Sequence, residues 1–262
     1  MQTVLITGGS SGIGYGFSQK FAAAGYRLLW VSLPAQELAD AKARLEGEQS
    51  GVEIHTLQKD LSQATAAAEV MAWTKENGWT VDVLINNAGF GTYGVLWETD
   101  LAREQAMIRL NVMNLYTMTR LFLDEMLAID EGTIINISSN SSFQPVARMN
   151  TYASTKAFVT HFSRGLEEEL RMRKAKVKVI TICPAGINDT AFKASAKMEG
   201  VKTFSGLAFT TTQEVANDVW KAFQKQKSFQ VSGWKMRFLY AVRNLIPYGI
   251  QQALVRRETE RG

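Results

Sequence analysis

Short apolar runs alternate with longer amphipathic or alanine-rich stretches along about the first 235 residues of the chain. This alternation is typical of repeated strand-helix-strand units. The apolar runs predict seven strands, near residues 2–7, 27–32, 52–57, 81–86, 132–138, 176–182 and 228–231. The stretches between them predict helices near residues 13–24, 35–49, 62–77, 98–128, 150–174 and 211–227.

Three of the predicted strands are almost continuously apolar, namely Val4-Leu5-Ile6, Val83-Leu84-Ile85 and Ile134-Ile135-Asn136-Ile137. Strands of this kind are buried on both faces, as in parallel sheets covered by helices. The helical stretches are long enough for right-handed crossovers between parallel strands. We therefore expect an α/β fold, a doubly wound parallel sheet of seven strands with helices on both faces.

The composition favours a single domain. The 262 residues are 46% apolar and 21% charged, which is enough for one sizeable core. The chain has four prolines, no internal repeat and no low-complexity linker. We expect residues 1–232 to carry the fold and its chemistry, and residues 233–262 to form a basic, apolar C-terminal tail of the same unit. The aperiodic stretch 185–210 is expected to be a lid or substrate loop, or else an ordinary surface excursion.

Cysteine, histidine and charge narrow the function classes. Cys183 is the only cysteine, and His55 and His161 are the only histidines, so we expect no disulfide, no metal site and a reducing, cytoplasmic setting. The net charge is +4, with about +7 on residues 221–262 and about −3 on residues 1–220. A nucleic-acid-binding body would carry the basic face itself, so we expect no nucleic-acid partner. Met1 leads directly into the first apolar run, and we expect no signal peptide.

A glycine-rich turn, Thr7-Gly8-Gly9-Ser10-Ser11-Gly12-Ile13-Gly14, follows the first predicted strand. Glycine permits positive φ and a close backbone approach, so such a turn can direct amide N–H groups and a helix N-terminus at a pyrophosphate. Taken alone, the pattern is equally compatible with a tight connection. Its position at the first strand-helix junction favours a nucleotide site, because ligands of doubly wound sheets bind at the carboxyl ends of the strands.

Tyr152 and Lys156 lie four residues apart in a predicted helix, so their side chains project from the same face. Free tyrosine titrates near pH 10, and acid-base work near neutrality needs its pKa lowered by about three units. An ammonium group about 4 Å away, at an effective dielectric of about 20, supplies an effect of that size. The pair is therefore a candidate acid-base couple, with a solvent-facing pair of neighbours as the alternative.

Four motifs together resemble those of the short-chain dehydrogenase/reductase family. They are the glycine turn, Asp60-Leu61 after the third strand, Asn86-Asn87-Ala88-Gly89 after the fourth, and Tyr152-Ala153-Ser154-Thr155-Lys156. Their order and spacing match the family over about residues 1–232. The resemblance implies a Rossmann-type sheet and an oxidoreductase that transfers a hydride between a nicotinamide cofactor and a carbonyl or secondary alcohol substrate.

The resemblance also implies roles for single residues. The implied catalytic residues are Asn111, Ser139, Tyr152 and Lys156. Ser139 would hold the substrate oxygen, with Ser138, Ser141 and Ser142 as alternatives, and Asn111 would support a water chain from the lysine. The expected cofactor-binding residues are Gly8, Ser10, Ser11, Gly12, Ile13, Gly14, Ser32, Asp60, Leu61, Asn87, Ala88, Gly89, Tyr152, Lys156, Pro184, Gly186, Ile187 and Thr190. An extra residue between Pro184 and Gly186 departs from the family's pattern.

The corner at the end of the second predicted strand bears on the choice of cofactor. An acidic side chain there would bond a ribose hydroxyl and repel a 2′-phosphate, whereas a cation would attract the phosphate. The segment Val31-Ser32-Leu33-Pro34 offers neither charge, and Ser32 can donate to a phosphate. We therefore predict that NADP(H) is favoured over NAD(H).

Aromatic and methionine side chains in segments expected around the cleft predict an apolar pocket, and hence a lipophilic ketone or alcohol as the small-molecule substrate. They are Tyr93, Phe143, Met149, Phe192, Met198, Phe204 and Phe209. Side chains of these types are also common in hydrophobic cores that bind no ligand. Small and apolar residues on several faces of the helical blocks 98–128 and 150–174, together with the resemblance, predict a homodimer or homotetramer.

The tail mixes Lys and Arg with aliphatic and aromatic residues between 234 and 257, in an apolar stretch too short to span a bilayer. Three readings stay open: packing on the body or on a neighbouring subunit, peripheral contact with a membrane as a basic amphipathic helix, or a mobile flap.

Two other functions are open as well. A 3-oxoacyl reductase of lipid metabolism would need a basic patch for an acidic acyl carrier, for which Arg103, Arg109, Arg120 and Arg148 are candidates. A catalytically silent nucleotide-sensing protein would keep the fold but is expected to lose the tyrosine-lysine pair, which this chain retains.

Overall fold

The apolar runs form the strands that the sequence predicts. The computed structural model describes residues 1–187, 189–198, 201 and 209–259. The strands are β1 (Thr3–Thr7), β2 (Arg27–Ser32), β3 (Ile54–Gln58), β4 (Val83–Asn86), β5 (Thr133–Ile137), β6 (Lys178–Cys183), β7 (Gly186–Ile187), β8 (Phe209–Thr210) and β9 (Phe229–Val231). The short strands β7 and β8, which the sequence did not predict, pair with each other outside the main sheet.

Helices fill the stretches between the strands. They are α1 (Gly12–Ala23), α2 (Ala35–Glu48), α3 (Ala66–Glu76), α4 (Leu101–Ile108), α5 (Leu115–Ile129), α6 (Asn150–Met172), α7 (Phe192–Ser195), α8 (Thr212–Gln224), α9 (Trp234–Val242) and α10 (Tyr248–Thr259). A π-helical turn, Arg109–Asn114, joins α4 to α5, and 3₁₀ turns occupy Asn140–Phe143 and Arg243–Leu245. The predicted helical block 98–128 is therefore two helices joined by a wider turn.

The main sheet has the strand order β3-β2-β1-β4-β5-β6-β9, and all its neighbours are parallel. The chain starts in the middle of the sheet, moves outward to β3, and then returns to β4 on the other side of β1. This is the doubly wound, seven-stranded parallel sheet that the sequence predicts. The reversal between β1 and β4 leaves a crevice at the carboxyl ends of the strands, where ligands of such sheets bind.

Side chains along the central strands alternate between two cores. Val4 and Ile6 of β1 pack with Phe17 of α1 on one face of the sheet, whereas Leu5 packs with Phe122 of α5 on the other. All three β1 side chains are fully buried. This alternation follows from the two-residue period of a strand. Because both faces are covered, the carboxyl ends of β1, β4 and β5 are held in fixed positions.

The C-terminal segment folds back onto the body. Met236 of α9 packs with Cys183 and Val231 of the sheet, and the Tyr93 hydroxyl donates a hydrogen bond of 2.6 Å to the carbonyl oxygen of Thr259. These contacts support the proposal that residues 233–262 belong to the same unit as residues 1–232. None of the helices within the described ranges has both the length and the apolar character needed to cross a membrane.

Candidate active site

The glycine turn connects β1 to α1 in a conformation that glycine favours. Gly8 and Gly12 have φ of +67° and +51°, in the left-handed region that other residues rarely adopt. Gly14 approaches the same turn so closely that a Cβ on it would lie 1.9 Å from the Gly8 carbonyl oxygen. Ser11, at the start of α1, makes no capping side-chain bond, which leaves the first amides of α1 open to a ligand.

The segment after β4 is bound to this turn. The Thr7 hydroxyl oxygen accepts hydrogen bonds from the amides of Asn87 and Ala88, at 2.9 and 3.0 Å. The Asn87 side-chain amide donates to the carbonyl oxygens of Thr7 and Gly8, at 2.9 and 3.1 Å. Two motifs that are about 80 residues apart in the sequence thus form one edge of the crevice.

A cleft of about 1030 Å³ runs along the carboxyl edge of the sheet. The expected site residues that line it are Gly8, Ser11, Gly12, Ile13, Ser32, Asp60, Leu61, Asn87, Ala88, Gly89, Ser139, Tyr152, Lys156, Pro184, Gly186, Ile187 and Thr190. Ser10, Gly14 and Asn111 do not line the cleft, since they are buried behind its wall. The structure therefore brings most of the expected residues together, and the roles of Ser10, Gly14 and Asn111 stay predictions.

The acid-base candidates share one wall of the cleft. Tyr152 and Lys156 are buried side chains one turn apart on α6, and the Lys156 Nζ lies 5.9 Å from the centre of the Tyr152 ring. That Nζ donates to the carbonyl oxygen of Ile137, the last residue of β5, at 3.0 Å. Ser139 follows two residues later, and its hydroxyl oxygen accepts from the Ser141 amide at 3.2 Å. Three of the four implied catalytic residues are thus side by side.

Burial dominates the electrostatics of this wall. It raises the pKa of Tyr152 to about 12, and a hydrogen bond with Ser139 opposes part of that rise, while the lowering by Lys156 stays a prediction. Burial also lowers the pKa of Lys156 to about 8. The physical reason is that both groups lose water, while the ammonium group is directed at the Ile137 carbonyl oxygen. The protein's own residues therefore hold Tyr152 as a neutral phenol, which is the form that can donate a proton.

Asn111 lies in the π-helical turn behind this wall. Its side-chain amide donates to the Phe90 carbonyl oxygen at 3.0 Å and to the Thr155 hydroxyl oxygen at 3.2 Å. A Cβ on Gly89 would lie 2.9 Å from its Oδ1 and 3.5 Å from the Lys156 Nζ. A π turn interrupts the regular helical bonding and is frequent at functional sites. Asn111 thus holds the segment after β4 against α6 beside the lysine, and the implied water chain stays a prediction.

The alternatives to Ser139 have other partners or none. The Ser138 hydroxyl donates to the Lys156 carbonyl oxygen at 2.8 Å, which fastens α6 to the end of β5. Ser142 accepts a hydrogen bond from Thr160, and the buried Ser141 hydroxyl has no hydrogen-bond partner in the described part of the chain. Ser139 is the serine whose hydroxyl forms a hydrogen bond with Tyr152. This position favours Ser139 as the residue that holds a substrate oxygen.

Asp60 begins the turn after β3 and lines the cleft. Its carboxylate accepts hydrogen bonds from the amide and hydroxyl of Ser62 and from the Gln63 side chain, at 2.7 to 2.9 Å. These bonds, that of Gln63 first, hold the pKa of Asp60 below its usual value. The carboxylate is therefore charged and engaged in its own turn, and its contact with adenine stays a prediction.

The corner at the end of β2 carries a carboxylate that the sequence reasoning missed. The Ser10 hydroxyl donates to Glu37 Oε1 at 2.5 Å and lies 3.0 Å from the Ser32 hydroxyl oxygen. Glu37 and Ser32 both line the cleft. The expectation of an uncharged corner was wrong, because the first turn of α2 returns Glu37 to the end of β2. A count of charges over residues 31–34 cannot detect that return.

Replacing Glu37 by Gln is expected to raise the ratio of kcat/KM with NADPH to kcat/KM with NADH by roughly fivefold. The reason is the loss of about 1 kcal/mol of repulsion between the carboxylate and a 2′-phosphate. Steady-state kinetics with both cofactors would measure the ratio. Asp40→Asn is the matched control, because Asp40 is exposed on the same helix and bonds the Gln36 side chain. An equal change in both variants would contradict a specific role for Glu37.

The substrate end of the cleft is apolar, as expected, but its lining differs in part. Met149 and Phe192 line it, and the Phe192 ring centre lies 5.3 Å from that of Tyr152. Phe143 instead packs on Tyr240. Met198 is buried in the cluster around Tyr152, with Tyr93 packed against it. Phe204 and the side chain of Phe209 lie outside the described residues. The sequence reasoning missed five lining residues from the C-terminal segment, Met236, Leu239, Leu254, Val255 and Thr259.

The four arginines weighed as an acyl-carrier patch are distributed over different elements. Arg103 donates to the Ser195 carbonyl oxygen, Arg120 pairs with Asp124 within α5, and Arg148 donates to the Tyr93 hydroxyl. Three of the four are therefore engaged within the chain itself. Elsewhere, no group of three or more His, Cys, Asp and Glu side chains among the described residues could hold a metal ion.

Comparisons with known proteins agree with this geometry. The family profile described as short chain dehydrogenase matches residues 2–200. A probable NADP-dependent dehydrogenase of Haemophilus influenzae is 31% identical over 223 residues, which are 83% of this chain and 85% of that protein.

Solved structures match over nearly the whole chain. A short-chain dehydrogenase from Sphingobium yanoikuyae in complex with NADPH has a TM-score of 0.81 and 29% identity, covering 97% of this chain and 95% of that one. A bulky-bulky ketone specific alcohol dehydrogenase from Comamonas testosteroni has a TM-score of 0.75 and 26% identity, covering 96% and 94%.

Proposed function

Since this chain belongs to the short-chain dehydrogenase family, we propose that it is an NADP(H)-dependent oxidoreductase of bulky, lipophilic ketones and the matching secondary alcohols. One observation carries the proposal: Ser139, Tyr152 and Lys156 share a wall of an apolar cleft that also reaches the glycine turn. The similarity to a bulky-ketone alcohol dehydrogenase supports the substrate class.

The residues present fit a nicotinamide dinucleotide. Gly8, Gly12 and the free start of α1 form a cradle for the diphosphate, and a side chain at Gly14 would clash with the Gly8 carbonyl oxygen and distort that cradle. The Thr190 hydroxyl, which lines the same cleft, is buried without a hydrogen-bond partner among the described residues and can bond a polar group of the cofactor. The NADP dependence named for a relative and the NADPH bound in a similar structure support NADP(H) as the favoured cofactor.

The mechanism divides the work between cofactor and protein. When bound, the cofactor supplies or accepts the hydride. Ser139 orients the substrate oxygen, and Tyr152 donates its proton to that oxygen during reduction and takes it back during oxidation. Lys156 places a positive charge on the same wall, where it favours the phenolate that the donated proton leaves behind. Asn111 positions the lysine side of the wall from behind.

The absorbance of NADPH at 340 nm, followed with ketones of increasing size, tests the proposal. We expect turnover with aryl or long-chain ketones, a kcat/KM that rises with apolar bulk, and a lower kcat/KM with NADH. Bulk matters because the substrate end of the cleft is lined by apolar side chains such as Met149 and Phe192. Absence of turnover with every ketone, or a preference for polar sugars, would overturn the proposal.

Assembly and location complete the proposal. Tyr116 of α5 and Phe158 of α6 are large, exposed side chains that both contact the ring of Phe162. This apolar face supports a homodimer or homotetramer formed through α5 and α6, which a monomeric mass in light scattering would contradict.

The single, buried cysteine supports a reducing, cytoplasmic location, which fluorescence of a tagged full chain in cells would check.

A further inference from the structure

Helix α9 is apolar on two opposite sides. Its inner side packs on the body, where Met236 and Tyr240 contact the cluster around Cys183. Its outer side carries Trp234, Phe238 and Ala241, and Leu245 of the following 3₁₀ turn continues this apolar row, which we call the outer stripe. The spacing of three or four residues places these side chains along one face. Trp234, Phe238 and Leu245 are 68%, 63% and 82% exposed, so the stripe has no cover within the described part of the chain.

The segment that carries the outer stripe is predominantly basic, and one of its cations, Arg237, pairs with Asp218 at 3.1 Å. Residues 234–257 contain five Lys or Arg and no Asp or Glu. Lys235, Arg256 and Arg257 are exposed, and the guanidinium of Arg243 lies over the Tyr240 ring at 3.7 Å. Helix α10 adds the exposed apolar side chains of Tyr248, Ile250 and Leu254. The two helices therefore present large apolar side chains between cations.

The same two helices form a wall of the catalytic cleft. Met236 and Leu239 of α9, with Leu254 and Val255 of α10, line the cleft that contains Tyr152. Leu239 is 37% and Leu254 is 54% exposed, although both line the cleft. These side chains mark its mouth, so the cleft opens at the apolar, basic surface.

The charge identifies the partner. A second copy docked through the same surface about a two-fold axis would bring Lys235, Arg243, Arg256 and Arg257 of both segments together, which opposes association. An anionic bilayer supplies the opposite charge, and its interface accepts Trp, Phe and Leu side chains between Lys and Arg. We propose that residues 234–257 dock the protein on anionic membranes and that lipophilic substrates enter the cleft from the bilayer. The route of the substrate rests on the proposed function, whereas the docking does not.

Flotation of the full-length protein with lipid vesicles tests the docking. We expect binding to vesicles that contain phosphatidylglycerol, little binding to pure phosphatidylcholine, and release in high salt because salt screens the attraction. The double variant Phe238→Glu/Leu245→Glu is expected to lower the bound fraction at least tenfold, since it places charge in the outer stripe without touching the cleft lining. The matched control is Trp97→Glu/Leu101→Glu, because these side chains are 84% and 71% exposed elsewhere on the surface. The control is expected to bind like the wild type.

Three results would overturn the docking. They are no binding to the anionic vesicles at low salt, an equal loss of binding in the control variant, or a wild-type dimer that dissociates in the stripe variant while the wild type does not bind vesicles. The dimer would assign the surface to a second copy. NADPH oxidation with a water-soluble ketone separates this test from that of the proposed function. The stripe variant is expected to retain that activity, whereas loss of turnover in the wild type itself would contradict the function instead.

Discussion

Replacement of Tyr152 by Phe is expected to lower kcat for ketone reduction by about a thousandfold and to change the Kd for NADPH by less than about twofold. The variant removes the only phenol on the wall formed by α6 and β5, while its ring can keep the contact with Phe192. Because burial raises the pKa of Tyr152 to about 12, the hydroxyl is protonated throughout the neutral range and is the proton donor that the variant lacks. Steady-state kinetics and fluorescence titration with NADPH would measure the two effects.

The control for this variant is Tyr116→Phe. Tyr116 lies on α5, is 43% exposed and does not line the cleft, so its loss is expected to leave kcat and Kd unchanged. If Tyr152→Phe kept more than about a tenth of the wild-type kcat, Tyr152 would not be the proton donor. An equal loss of kcat in both variants would indicate general damage and not lost chemistry.

Replacement of Gly14 by Ala is expected to weaken NADPH binding by at least about a hundredfold. The new Cβ would lie 1.9 Å from the Gly8 carbonyl oxygen and 2.7 Å from the Asn87 side-chain nitrogen. The turn would have to open, and the bonds of Asn87 to Thr7 and Gly8 would break with it. Titration with NADPH, together with the Tm, would measure the loss of binding and show whether the fold survives.

Gly47→Ala is the matched control, because Gly47 lies in α2 with open space around it. It is expected to raise the free energy of unfolding by about 0.5–1 kcal/mol and to leave the Kd unchanged. If Gly14→Ala does not fold, Gly12→Ala serves instead, since it adds backbone strain at φ +51° but meets no atom closer than 3.5 Å. Unchanged NADPH binding in whichever of the two variants folds would remove the glycine turn from the site.

The sheet and the glycine turn could be predicted because local sequence determines them. The central strands are continuous apolar runs such as Val4-Leu5-Ile6, whose burial on both faces requires cover from helices. Gly8 and Gly12 follow β1 directly, and their positive φ needs no information from distant residues. Tyr152 and Lys156 were found for the same reason, since a spacing of four on one helix fixes their proximity.

Features that depend on tertiary contact were missed. Glu37 reaches the corner of the cofactor site only because α2 turns back over the end of β2, and no pattern in residues 31–37 shows that return. The direction of the pKa shift of Tyr152 depends on burial and on the hydrogen bond with Ser139, neither of which the spacing reveals. The apolar residues of α9 and α10 were recognised as apolar, but which of them face the cleft depends on the angle at which the helices return.

The walls of the cleft are held in place by different parts of the fold. Tyr152 and Ser139 sit on α6 and at the end of β5, which are fixed by the main sheet. A further wall is formed by α9 and α10, which are held by small apolar clusters and by the bond from Tyr93 to Thr259. Selection can therefore remodel the range of accepted ketones through the C-terminal helices without disturbing proton transfer. Engineers who want a different substrate should diversify Met236, Leu239, Leu254 and Val255 first.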